Sequence, residues 1–233
     1  MTVLLTNDDG ITAPGLNALR DVCRSLGVNA SNIHTVAPDQ ELSQCGHRTT
    51  TYSPIQVENL DEQRHSVSGT PADCVRIALS HLLPEKPDLV ISGINPGGNM
   101  GHDLYISGTV AATREAAYHG IPSVAISHYR KRDIPFSWET ASHRAVRVLK
   151  TLLSQTLDDG TFWNVNLPHL ADDAPEPEII LDCQPERQPL PNEFESSDEG
   201  YLYTGDYSQR PRTTGSDVAV CFGGNIAVSR ISV

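Results

Sequence analysis

Three short runs constrain the fold most: "TVLLT" at 2–6, "IHTVA" at 33–37 and "DLVISGI" at 88–94, each rich in aliphatic or β-branched residues without polar alternation. A strand with one wet face alternates, whereas a strand covered on both faces does not, so these runs read as interior strands of a parallel sheet. The sequence between and beyond them reads as helix. Pro14 suits a first helical position, apolar residues recur at 16, 19, 22, 23 and 26, and Gly27 suits the terminator. In "TPADCVRIALSHLLP", Thr70 is the expected N-cap, Pro71 the first helical residue and Pro84 the stop. "TVAATREAAYHG" at 109–120 and the apolar periodicity from Trp138 to Leu153 predict two more helices, while "SVAIS" at 123–127 and "FWNVNLP" at 162–168 predict two more strands. The expected class is α/β: a mostly parallel open sheet with helices on both faces, occupying residues 1–170.

Residues 171–233 differ. They hold Pro175, Pro177, Pro185, Pro189, Pro191 and Pro211, together with the acidic stretch "EFESSDEG". Period-two character in "YLYTGDY" and "IAVSRISV" predicts a C-terminal hairpin arm and a returning strand, a pairing often used in oligomerisation.

Composition narrows the partners. Lysine and arginine number 17 against 29 aspartates and glutamates, a net charge of −12, so long nucleic acid meets repulsion. The five cysteines, Cys23, Cys45, Cys74, Cys183 and Cys221, show no CxxC spacing, which argues against a disulfide framework or a thiolate zinc site and for a reducing cytoplasm. No apolar run has membrane-spanning length, so no membrane partner is expected.

In open α/β sheets, ligands bind beyond the carboxyl ends of the parallel strands. Asp8 and Asp9 follow the first run, Ser43 lies in the loop after the second, and Asn95 follows the third. Taken alone, Asp-Asp-Gly is a turn signal, Ser43 a loop hydroxyl and Asn95-Pro96 an ordinary turn. Their shared strand-end position changes that reading. Two adjacent carboxylates repel unless a cation or a shared proton offsets the cost. Carboxylate, amide and hydroxyl oxygens are hard donors suited to one divalent cation per subunit, Mg²⁺ or Mn²⁺. Ser107, Gly108 and Thr109 open a predicted helix, where free N–H groups and the positive helix end can cradle an anion, or where a hydroxyl simply caps. Asn99 in the glycine-rich loop is a further candidate donor. A cation and an anion cradle on successive loops suit phosphate esters. His102, beside Asp103, is conceivable as an acid, and "HYRKRD" at 128–133 is a local positive run able to attract an anion or simply to face solvent. No GxSxG, GxxxxGK[ST] or GxGxxG pattern occurs.

The stretches "LLTNDDGITAPGL", "VAPDQELS", "VSGTPADCVRIAL", "PDLVISGINPGGNMG" and "SGTVAATREAAYHGIPSVAIS" resemble, in order, those of the SurE survival proteins, metal-dependent 5′-nucleotidases. The resemblance covers the first 130 residues and implies a Rossmann-like domain, a C-terminal arm used in a homodimer or homotetramer, and release of phosphate from nucleoside 5′-monophosphates. It implies a metal held by Asp8, Asp9, Ser43 and Asn95; the helix-mouth reading adds Asn99, Ser107, Gly108 and Thr109 as the expected phosphate binders. Two stretches depart from the family pattern: Gln44-Cys45-Gly46 follows the serine directly, and Pro96-Gly97-Gly98 replaces the usual His-Gly-Ala. Asp8 and Asp9 are the expected catalytic pair, with in-line attack by water and no phosphoenzyme. The alternatives are 3′-nucleotidase or exopolyphosphatase activity at the same site, or a non-catalytic nucleotide sensor.

Overall fold

A computed structural model of the chain describes residues 1–171 and 174–233. In chain order the elements are β1 (Val3–Thr6), α1 (Pro14–Ser25), β2 (Ile33–Pro38), β3 (Val57–Asn59), β4 (Arg64–Val67), α2 (Pro71–Ile77), β5 (Leu89–Asn95), α3 (Asp103–Ile106), α4 (Gly108–Tyr118), β6 (Ser123–His128), α5 (Trp138–Leu152), β7 (Thr161–Leu167), β8 (Ile179–Ile180), β9 (Phe194–Ser197), β10 (Gly200–Tyr203), α6 (Asp217–Phe222) and β11 (Ile226–Ser232). Nine strands form one sheet in the order β3-β4-β2-β1-β5-β6-β7-β11-β8. The run from β4 to β7 is parallel throughout; helices make the crossovers except between β2 and β4, which a loop and β3 connect.

The continuous apolar runs have the anticipated cause. Val3 and Leu5 of β1, with Ile91 of β5, join Leu16, Leu19 and Val22 of α1 and Ala145, Val148 and Leu149 of α5 in the core on one face. Leu4 and Val90, the alternate residues, join Cys74 and Val75 of α2 and Ala112 and Ala116 of α4 on the other. Burial of both residue sets removes the period-two signal. Gly15 lets α1 approach β5, because a Cβ there would collide with the Ile94 carbonyl.

Helix α2 starts as anticipated. The Thr70 hydroxyl accepts from Asp73 N at 3.2 Å, and an Asp73 carboxylate oxygen accepts from Thr70 N at 3.1 Å, a reciprocal capping box. Regular α-helix stops at Ile77, and a wider π turn over Ala78–Leu82 completes the segment that the sequence reads as one helix up to Pro84. The strands at 57–59 and 64–67 carry little apolar signal: β3 lies at the sheet edge with all three residues exposed, and β4 buries the polar His65 and Ser66 beside Val67. Strand β11 returns antiparallel beside β7, and β9 with β10 forms a separate hairpin exposing Phe194, Tyr201 and Leu202.

Candidate active site

Loops after β1, β2 and β5 converge with the start of α4. Asn7 shapes the first: its side-chain amide donates to the Gly10 carbonyl at 2.9 Å and its Oδ1 accepts from Gly10 N at 3.2 Å. Gly10 has φ +102°, a left-handed conformation that favours glycine, so the aspartate turn can close against Pro38 and Gln40. Leu42 N–H donates to the Asp8 carbonyl at 2.8 Å, and Gly46 N–H donates to the Ile106 carbonyl at 2.9 Å. These bonds tie the loop after β2 to both neighbours.

Asp8 is buried against α4. Thr109 Oγ1 donates to Asp8 Oδ1 at 2.5 Å. Burial pushes the Asp8 carboxyl above its ordinary value, while the Thr109 hydroxyl and the backbone amides of Thr109 and Gly108 pull it back. A Cβ on Gly108 would lie 2.8 Å from Asp8 Cβ and 2.9 Å from Cys45 Sγ, so only glycine lets the helix end meet the carboxylate this closely. Asp9 is half-buried. Its pKa rises to about 7, first through burial and then through the charges of Asp8 and Glu41. Its Oδ2 is enclosed without a hydrogen-bond partner. An orphaned carboxylate oxygen beside a second carboxylate is a donor set that fits a hard cation.

The other sequence-selected residues take distinct places. Ser43 is exposed, its hydroxyl donating to Glu41 Oε1 at 2.7 Å. Asn95 donates its amide to the Gly97 carbonyl at 2.8 Å, which leaves its side-chain oxygen free to accept or ligate. Asn99 turns inward, donating from Nδ2 to Ser127 Oγ at 2.7 Å. Ser107 caps α4, accepting from Val110 N–H at 3.1 Å, and so carries the plain capping role. His102 is exposed ahead of α3. Among the described residues, no group of three or more His, Cys, Asp or Glu side chains gathers as a metal cluster.

Several contributors escape the sequence reading. Cys45 faces Asp8 and Gly108; burial, and then the Asp8 charge, push its thiol upward. Asn166 accepts from Asn99 N at 2.8 Å, and both Asn164 and Asn166 donate to the Asn99 carbonyl. Asn164 and Asn166 sit fully buried in β7, and two asparagines inside an apolar strand are the signal that marks them.

Residues 3–184 match the family model of survival protein SurE. The chain belongs to the SurE family. A SurE structure from Aquifex aeolicus superposes with a TM-score of 0.86 at 33% identity, covering 100% of this chain and 93% of that one. A Nostoc sp. protein, named provisionally as a 5′-nucleotidase, is 48% identical over the full length of both chains. The 5′-nucleotidase SurE of Pelobacter propionicus is 45% identical over 179 residues, 77% of this chain and 69% of its own. The SurE match begins with β1 and runs past β7, so it encloses every residue of the candidate site.

Proposed function

We infer that the chain is a phosphoric monoester hydrolase that releases phosphate from nucleoside 5′-monophosphates. The observation that carries this is the pairing of Asp8 and Asp9 at the end of β1, with the first turn of α4 on Asp8 and one Asp9 oxygen left without a partner. The names of its SurE relatives agree with it.

Asp8 and Asp9 would hold one divalent cation, Mg²⁺ or Mn²⁺, with Ser43 and the Asn95 side-chain oxygen completing the donors. When bound, such a cation supplies positive charge for a phosphoryl oxygen and makes water a better nucleophile near neutral pH. The chain itself orients the ester. The positive end of α4, whose Gly108 and Thr109 amides already face Asp8, adds favourable charge where negative charge develops on the phosphoryl oxygens. Ser107 fixes the cradle by capping the first turn of α4, and Asn99 fixes the loop after β5 through Ser127 and Asn166. Water attacks phosphorus opposite the ester oxygen, the P–O bond to the sugar breaks, and the departing oxygen takes up a proton. No side-chain nucleophile is needed.

The arm at 194–203 exposes Phe194, Tyr201 and Leu202, an apolar surface suited to a second copy of the chain, which supports a homodimer or homotetramer. All five cysteines are unpaired thiols, in keeping with a cytoplasmic protein. No helix among the described residues is long and apolar enough to cross a membrane.

The deciding experiment measures phosphate release from nucleoside 5′- and 3′-monophosphates and short polyphosphate, with Mn²⁺, with Mg²⁺ and with EDTA. Cation-dependent release fastest on 5′-monophosphates is the expected result. Faster release from 3′-monophosphates or polyphosphate would reassign the substrate, and tight binding without release would make the site a sensor.

A further inference from the structure

A cleft of about 820 Å³ lies between the loop after β6, residues 129–133, and the segment 204–212 that follows the hairpin. Arg130, Lys131, Arg132 and Arg212 line it, opposed by the carboxylates of Asp133 and Asp206. In a chain of net charge −12, a cleft with twice as many cations as anions is a local reversal of sign. Among the described residues, none of those four cations forms an ion pair within 4.0 Å, whereas Arg24, Arg64, Arg147 and Arg210 each do.

The cleft is built on rigid parts. Its floor is a stack of Tyr129 on Phe222 with centroids 4.4 Å apart, and the Arg212 guanidinium lies 4.7 Å over the Phe222 ring. That guanidinium is also held by its bond to the Ser208 carbonyl at 2.6 Å. Tyr207 ties the cleft to the segment after β5: its hydroxyl donates to Asp103 Oδ2 at 2.8 Å and lies 3.3 Å from the Gly98 carbonyl. Gly98 belongs to the glycine loop that starts at Asn95. An ester held at Asp8 and Asp9 and extending past this loop would bring its far end to the cations.

We propose that this cleft is a subsite for a second anionic group on the substrate, so that the preferred compounds are nucleotides carrying a further phosphate rather than simple monophosphates. The proposal rests on the phosphohydrolase reading above. The Arg212 guanidinium over an aromatic floor, the Arg130 guanidinium 4.9 Å from the Phe136 ring centroid, and the exposed Lys131 and Arg132 suit a phosphate attached to a sugar or base. An uncharged nucleoside end would leave the cations idle.

The test compares adenosine 3′,5′-bisphosphate with adenosine 5′-monophosphate as sources of 5′-phosphate, in wild type and in the Lys131→Ala/Arg132→Ala variant, whose substituted side chains are exposed. The expected result is a KM about tenfold lower for the bisphosphate in wild type at low salt, collapsing to within about twofold in the variant. Arg212→Gln, which keeps a donor for the Ser208 carbonyl, is expected to act in the same direction. An unchanged preference in both variants, or no wild-type preference, overturns the subsite while leaving the phosphohydrolase reading intact. If wild type released phosphate from neither compound, that reading would fail. Calorimetric binding of adenosine 3′,5′-bisphosphate in EDTA would then decide the subsite: affinity at least tenfold weaker in the variant supports it, and equal affinity refutes it.

Discussion

Arg210 Nη1 donates to Asp103 Oδ2 at 2.6 Å, joining the C-terminal segment to the loop region beyond β5 through a pair that is all but closed to solvent. Arg210 Nη2 also donates to the Met100 carbonyl at 2.8 Å, and Asp217 Oδ2 accepts from Gly101 N at 2.8 Å. The tail thereby fixes the peptide units just past Asn99. A proline-rich tail outside the α/β pattern is thus part of what holds the candidate site in shape.

Arg210→Met should cost about 3–5 kcal/mol in urea unfolding, because it strands a buried carboxylate. Combining it with Asp103→Asn removes the stranded charge while keeping an acceptor for Tyr207, and should recover at least half the loss. An additive double variant would show that the pair contributes nothing as a pair.

Asp8→Asn should leave the fold intact, since the amide oxygen still accepts from Thr109 and a buried charge disappears. Phosphate release should fall on the order of 10³-fold, the scale of losing several kcal/mol of charge stabilisation. Mn²⁺ should raise the melting temperature of wild type but not of the variant. A variant that keeps both its activity and its Mn²⁺ response would remove Asp8 from the cation site.

The sequence reveals the α/β layering because buried strands and amphipathic helices leave a periodic record. It singles out Asp8, Asp9 and Asn95 as candidates because strand ends are where such folds bind ligands. The supporting contacts leave little trace. Cys45 meets Gly108 across 62 intervening residues, and Asn99 meets Asn166 across 66, so only tertiary structure joins them. Edge strand β3 is exposed and polar, without the apolar pattern that marks β1. Ser107 illustrates the opposite difficulty: a capping serine and an anion-binding serine have the same local sequence.

Gly108→Ala places a methyl group 2.8 Å from Asp8 Cβ and 2.9 Å from Cys45 Sγ. The added carbon suits helix α4 but must displace the Asp8 carboxylate or the β2 loop. Activity should drop on the order of 10²-fold, with cation affinity falling alongside, because a small displacement of a reacting group carries that scale of penalty. Adding Cys45→Ala relieves only one of the two clashes and should rescue little. Near-normal kcat/KM in Gly108→Ala would show that the close approach of α4 to Asp8 is structural rather than functional.

His128, at the end of β6, is 1% exposed, and burial lowers its pKa from 6.5 to about 4. The nearby His169 and Arg144 oppose protonation further, while the bond to the Tyr129 carbonyl favours it. As pH falls, the unfolded chain takes up this proton first, near 6.5, whereas the native chain resists until about 4. The stability is therefore present above pH 6.5 and lost on the way down to 4. Between pH 7 and pH 5 the loss should be about 2 kcal/mol. The buried carboxyls Asp8 and Asp217 have raised pKa values and titrate with the opposite sign, so the bare pH profile mixes the two effects. Comparison with His128→Gln separates them. The variant keeps a side-chain donor for the Tyr129 carbonyl, and its unfolding free energy should fall less between pH 7 and pH 5 by that same amount. Parallel profiles would mean that His128 accepts a proton in the native protein, and that its burial by Phe136 and His169 does not control the acid limb.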